Sequence, residues 1–480
     1  MNSTQPTFRG PLAWAICATS FGFTAVQLDV TIVNVALPRI ATDLHTTVAG
    51  LQWVVDAYTL AFAVLLLAAG VLGDRYGSRR AYLAGFVLFT LASAACAVAG
   101  DAVFLVVARV FQGIGAALLV PSSLALLSHV CAHDDRLRAR AVGWWTAAGG
   151  VSIAAGPVVG GLLLGALGWR SIFWVNVPVC TLGILVSLRV LPEIARSAKP
   201  RALDPLGQLL AILTLTGLTG AVIEGGHLGW TAPLVIAGFA MALLGGLLFV
   251  FAESRNPAPM LPLAFFRLPN FSPAVIFGIL VNLTYYGVIF VLSLYLQQAR
   301  GYSALQAGMA FLPLTATFIV ANMFSGWFCS HVGSRPPMII GALTAMLGYA
   351  LLSRLDNNCS FLTMLPAFML IPSGMGLAVP AMTTTILSCV KREWSGTASA
   401  VLNAARQMGG AMGVAAFGAL AGSHAQIVAG LKVAALCSAG LLLIAAAVAW
   451  FGISRLDVKP RQSEPNRERE LPRPSESAQN

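Results

Sequence analysis

Residues 50–80 read GLQWVVDAYTLAFAVLLLAAGVLGDRYGSRR. An apolar run from Gly50 to Leu72 carries a single acid, Asp56; a turn dense in charge follows, from Asp74 to Arg80, and a second apolar run fills 81–100. A helix needs about 20 predominantly apolar residues, at about 1.5 Å each, to cross a hydrocarbon core of roughly 30 Å. Each run is therefore a membrane span, and the charged turn is the loop between two of them. Working outward, the same alternation gives fourteen spans, near 12–36, 50–72, 81–100, 103–127, 141–165, 171–190, 205–223, 232–252, 273–297, 305–329, 337–355, 361–388, 397–420 and 433–453. With 58% hydrophobic and 10% charged residues and a mean hydropathy of +0.81, nothing is left over for a soluble domain. Helices satisfy their own backbone groups in lipid, and no stretch alternates with the period of two of a membrane barrel. The chain is predicted to be an all-α integral membrane protein.

Laid out with the N-terminus inside, 22 of the 29 Lys and Arg fall in the even-numbered loops and the two tails. Arg39, Arg170, Arg300, Arg354 and Lys432 fall in the opposite loops, and Arg109 and Arg406 within spans. The bias predicts a cytoplasmic (inner) membrane protein with both termini cytoplasmic. The net charge of +11 is mostly this basic face and needs no nucleic-acid partner. The first apolar run contains Asp29 and continues past Val35 with no small-residue cleavage site, so it reads as a retained helix after a short cytoplasmic segment, 1–11. Residues 454–480 are charged and Pro-rich, and are expected to be a disordered cytoplasmic tail. The eight cysteines lack metal or redox spacing, and the six histidines sit at span ends or in loops. No metal and no cofactor is expected; lipids surround the chain, which is expected to act as a monomer.

The chain repeats itself. Gly70 to Arg80 reads GVLGDRYGSRR, and 326–335 reads GWFCSHVGSR, in register at Gly-Ser-Arg 256 residues apart. Gln112-Gly113-Ile-Gly115 followed by Pro121 is echoed by Ser373-Gly374-Met-Gly376 followed by Pro380. Two related six-helix bundles, 12–200 and 256–453, are expected, with two helices inserted at 201–255. Related halves with a site at their interface are the architecture of alternating-access transport.

Six motifs then carry a family resemblance over 12–453. Leu28-Asp29-Val-Thr31-Ile-Val-Asn34-Val-Ala-Leu37-Pro38 resembles the first-helix signature of the fourteen-helix drug:proton antiporter-2 family of the major facilitator superfamily. Gly70 to Arg80 resembles the superfamily's loop motif, Arg109 with Gln112-Gly113 its fourth-helix motif, and Gly156-Pro157-Val-Val-Gly160-Gly161 the fifth-helix motif of antiporters. Trp169 to Pro178, and Leu402-Asn403-Ala-Ala-Arg406-Gln407, add two more. Trp53 to Tyr58, Ile223-Glu224-Gly225 with Gly229-Trp230, and Tyr295 to Gly301 are similar to antibiotic exporters of the methylenomycin-resistance type; Asp56 also resembles a position of quaternary-ammonium exporters. The resemblance implies a multidrug-efflux antiporter that exchanges small amphipathic compounds for protons and confers resistance. An importer or uncoupled facilitator of another solute shares the fold and stays open as the alternative. An enzyme would need a nucleophile constellation, metal spacing or an appended domain, and none is present.

The residues point the same way. An ionised carboxylate inside a span marks an ion pathway unless a partner holds it. Asp29 lies nine residues before Pro38 and Arg109 eight after Asp101 on a span entering from the same side, so they stand at similar depth, paired or lining one cavity. Asp56 follows Trp53, an expected marker of the outer interface, and reads either as a proton or cation site or as a solvated acid. Glu224 ends the seventh span and reads either as a pathway acid or as a loop carboxylate. The resemblance implies that Asp74, Arg75, Arg79 and Arg80, around Gly77, form a reversible cytoplasmic latch. Ser78 replaces a basic residue of that pattern, and Ser330 stands where the second half would carry the equivalent of Asp74. Ser152, Gly156 and Gly160 make one small-residue face, expected to let the halves approach closely, and Pro157 can bend that helix. Serine at 152 departs from the glycine usual there.

Overall fold

The computed structural model describes residues 12–131, 135–193, 203–257, 259–356, 359–390, 394–421 and 427–454. The N-terminal segment 1–11 and the tail from 455 onward lie outside the described residues. Fourteen long helices follow one another: α1 (Leu12–Asp43), α2 (Val48–Tyr76), α3 (Ser78–Ala97), α4 (Ala102–Val130), α5 (Asp135–Leu167), α6 (Ser171–Val190), α7 (Pro205–Leu228), α8 (Pro233–Arg255), α9 (Phe271–Ala299), α10 (Ala304–Val332), α11 (Arg335–Leu352), α12 (Phe361–Ser388), α13 (Ser395–Leu420) and α14 (Ile427–Gly452). Among the described residues, thirteen are long and apolar enough to cross a membrane, by length and composition. The fourteenth, α13, carries Asn403, Arg406 and Gln407 and lies inside, against α2, α7 and α9. Its polarity follows from its place: it faces protein, not lipid.

The repeat is visible in the packing. Gly77, between α2 and α3, and Gly333, between α10 and α11, hold positive φ of 99° and 81°, a conformation glycine takes without steric cost. Arg79 then donates to the Leu188 carbonyl at the end of α6, and Arg335 to the Trp450 carbonyl at the end of α14. Gly115 of α4 crosses Gly85 and Phe89 of α3, as Gly374 of α12 crosses Gly341 and Ala345 of α11, too closely for a side chain. The equivalence therefore joins Gly115 to Gly374, in step with Pro121 and Pro380. Aligning Gly113 with Gly374 by motif is two residues out of step, because Gly113 packs on α2, against the Tyr58 carbonyl.

The end remote from the Asp74–Arg80 turn is closed. Pro38 lies inside α1, which runs on to Asp43 instead of ending there. Proline has no N–H, so the Asn34 carbonyl loses its helical donor; Ser293 Oγ of α9 donates to it at 2.6 Å, and Gln297 Nε2 to the Val35 carbonyl at 2.9 Å. Gln52 of α2 donates to the Val414 and Ala415 carbonyls of α13 at 3.0 and 2.7 Å. Gly308 of α10 sits on the Pro157 carbonyl of α5. The basic end is open: a cavity of about 650 Å³ separates the halves there, bordered by Gly70, Asp74, Ser122, Gln208, Met260 and Thr397.

Because each such hydrogen bond is worth about 1 kcal/mol net, Ser293→Ala with Gln297→Ala is expected to shift the molecule toward opening at the closed end. Spin labels at Thr42 and Ser303 should then report a longer distance than in the parent; an unchanged distance distribution counts against this closure.

The inserted pair differs in its two members. α7 bridges the halves, with Gln208 Nε2 on the Val64 carbonyl of α2 and Gly226 against Ala419 of α13. α8 packs on α7 and turns Leu243, Leu244, Leu247, Leu248 and Phe251 outward, the surface a lipid-facing helix needs.

Candidate functional site

Arg109 and Gln112 stand three residues apart on α4 and so share a face. That face meets Asp29 of α1 and Ser93 of α3, and Asn176 of α6 joins the cluster through Asp29. Arg109 Nη1 donates to Asp29 Oδ2 at 2.5 Å, while Gln112 Nε2 and Asn176 Nδ2 donate to Oδ1 at 2.8 and 3.0 Å. Arg109 also donates to the Val54 carbonyl at 3.0 Å and to Gln112 Oε1 at 2.7 Å, and Gln112 to Ser93 Oγ at 2.9 Å. The Arg109 guanidinium lies 4.3 Å from the centre of the Tyr58 ring, within cation–π range. Asp29 is 0% and Arg109 1% exposed. Of the two arrangements open from the sequence, pairing is the one adopted.

The cluster borders the space between the halves. Asn34, Tyr58 and Arg109 face Tyr286, Gln407 and Gly410 across a narrow gap. A second gap lies between Thr31, Asn34 and Pro157 on one side and Tyr285, Tyr286 and Thr315 on the other. Ser93 and Asn176 carry no separate role in the sequence reading, although each is a polar side chain inside an apolar run. That was the available signal.

Asp56 is not the solvated acid of the shallower reading. It is 0% exposed, and neither carboxyl oxygen has a hydrogen-bond partner among the described residues. Trp53, in the first two turns of α2, donates its Nε1 to Glu224 Oε1 at 3.0 Å, tying α2 to α7. Glu224 is correspondingly part of α7, a turn before its end, and not a loop residue. The inserted helix covers this corner of α2, which hydropathy alone does not reveal.

Comparison with known proteins settles the family. A sequence profile of the Major Facilitator Superfamily matches residues 19–414. The chain belongs to the Major Facilitator Superfamily. It is similar to the Methylenomycin A resistance protein of Bacillus subtilis, 35% identical over 90% of this chain and 92% of that one. It is also similar to the Methylenomycin A resistance protein of Streptomyces coelicolor, 37% identical over 93% of both chains. The Tetracenomycin C resistance and export protein of Streptomyces glaucescens is 34% identical over 85% of this chain and 76% of its own.

In this superfamily member the arginines of the charged turn meet partners within the first half. Arg79 and Arg80 lie 3.6 and 3.9 Å from Glu193, beyond the end of α6, and Arg75 stands over the Tyr76 ring. Asp74 is exposed at the rim of the basic-end cavity, which Thr397 of α13 also borders. The fifth-helix motif corrects one expectation. Gly156 and Gly160 pack on Thr31 and Ile32 of α1, inside the same half. Contact with the other half falls to the next face, where Pro157 meets Gly308 and Gly161 meets Ala304 and Leu305. Residues one apart on a helix point about a quarter-turn away from each other, so the motif serves both surfaces at once.

Arg406 and Gln407 stand midway along α13. Gln407 borders the gap beside Arg109. The Arg406 side chain passes Gly278 of α9, its Cγ 3.7 Å from where a Cβ would stand.

Proposed function

We propose that the chain is a proton-coupled antiporter that exports small amphipathic organic compounds across the cytoplasmic membrane, with both termini in the cytoplasm. The observation that carries this reading is Asp29: one carboxylate, fully buried in the first half, held by Arg109, Gln112 and Asn176 beside the gap between the halves. The printed names of the relatives, resistance and export proteins, support the direction and the substrate class.

In this mechanism the open basic end is the cytoplasmic entry for substrate. A proton arriving on Asp29 removes its charge and releases Arg109, which also holds the Val54 carbonyl of α2. α2 carries both Gln52, part of the closed end, and Asp74, at the open one, so a change in its seating acts on both gates. Asp56, buried without donors, is the second acid of the pathway, since an unpaired buried charge is costly and a proton relieves it. Glu224 fixes α7 to α2 through Trp53. The bundles 12–200 and 256–453 rock about the inserted pair, and Asp74 with Arg75, Arg79 and Arg80 latches the cytoplasmic side when it closes. No cofactor beyond the coupling proton takes part.

Two experiments test this. Cells producing the protein should accumulate less of a fluorescent amphipathic compound than control cells, and a protonophore should abolish the difference; equal accumulation removes the export reading. Reporters inserted after Arg267 and after Arg354 should read cytoplasmic and external, and matching locations contradict the orientation.

A further inference from the structure

We infer that Arg406 is the docking point for an anionic group, a carboxylate or sulfonate, on the exported compound. The inference rests on the export reading above and adds a substrate class to it. Arg109 and Arg406 are the two basic side chains standing well inside spans, and they are provided for differently. Arg109 has a carboxylate, a carbonyl, an amide oxygen and an aromatic face. Arg406 makes no ion pair and no hydrogen bond among the described residues, and its Nε is buried without an acceptor. Yet the residue is partly accessible although it stands midway along α13, and its neighbour Gln407 borders the gap between the halves. Gly278 keeps α9 clear of its stem.

A cation placed there without a counter-charge is costly within a membrane, and such residues face a cavity or a ligand. The three buried acids are otherwise disposed: three donors hold Asp29, Asp56 forms no ion pair with Arg406, and Glu253, near the end of α8, accepts from the Leu261 N–H. Guanidinium presents a planar fork that matches the two oxygens of a carboxylate or sulfonate. The adjoining gap supplies the rest of an amphipathic site. Tyr286 and Gln407 offer polar contacts, and Val30, Val33 and Val55 offer an apolar wall for the body of the compound.

The test uses the full chain in lipid nanodiscs, with empty nanodiscs as control, and two probes that differ by one group: anilinonaphthalene sulfonate and the neutral phenylnaphthylamine. Arg406→Gln is expected to weaken sulfonate binding roughly ten- to a hundredfold, the size of a lost charge-assisted hydrogen bond, and to leave the neutral amine within about twofold. Arg406→Lys, which keeps the charge without the fork, should fall between wild type and Arg406→Gln, and it carries the test alone if the glutamine variant does not fold. Equal loss of both probes, unchanged sulfonate binding, or a wild type that does not hold the sulfonate overturns the inference. Efflux of phenylnaphthylamine by the wild type, measured separately, keeps the two readings apart. Its absence sinks export, whereas its presence with sulfonate binding indifferent to Arg406 sinks only this site.

Discussion

Asp29→Asn is expected to abolish proton-driven resistance and export of every substrate while the protein still reaches the membrane in normal amount. Asparagine keeps the shape of the side chain and an oxygen for Arg109, so the contacts among α1, α4 and α6 survive in outline. What disappears is the group that takes a proton. Minimal inhibitory concentrations for the variant should fall to those of cells carrying no transporter, with equal band intensity in membrane fractions. Resistance that persists for neutral compounds only would assign Asp29 to substrate charge instead of coupling.

Arg109→Ala should act differently, on folding. It leaves the buried Asp29 carboxylate with two neutral donors and no counter-charge, and removing one member of a buried pair costs about 3–5 kcal/mol. It also empties the place under the Tyr58 ring and frees the Val54 carbonyl. Folded protein recovered in detergent should drop severely, and the midpoint of thermal unfolding with it. The double variant Asp29→Asn with Arg109→Gln removes both charges and should recover much of the folded yield while staying inactive. A double variant as unstable as Arg109→Ala alone would show that cavity formation, not the uncompensated charge, is what the cluster guards against.

The sequence carried the parts of this architecture that depend on hydropathy and on depth. Asp29 and Arg109 are within reach of each other because each can be counted inward from the same end of its span, at Pro38 and Asp101, and the structure joins them. Gly77 and Gly333 were legible as a repeat because a positive φ leaves a glycine in each half. Direction around a helix was much less legible. The four-residue spacing of Gly156 and Gly160 shows that something packs closely there but not which helix; the partner is α1, and the inter-half contact belongs to Pro157 and Gly161. Pro38 reads as a helix end, yet α1 continues because Ser293 supplies the donor that proline lacks, and no local pattern reports a donor 259 residues away. The burial of Asp56 and the Trp53–Glu224 bond depend on where the inserted helix α7 lies, which span-by-span hydropathy does not encode.

The central claim is that a proton on Asp29 is what is exchanged for substrate. It is tested most directly by reconstituting the purified chain in liposomes that contain a pH indicator, and adding a compound to which the chain confers resistance. In the wild type, substrate addition should drive proton movement that stops when the substrate gradient is spent. Asp29→Asn, still binding the same compound, should move none. Substrate-driven proton flux of wild-type size in Asp29→Asn would contradict the account.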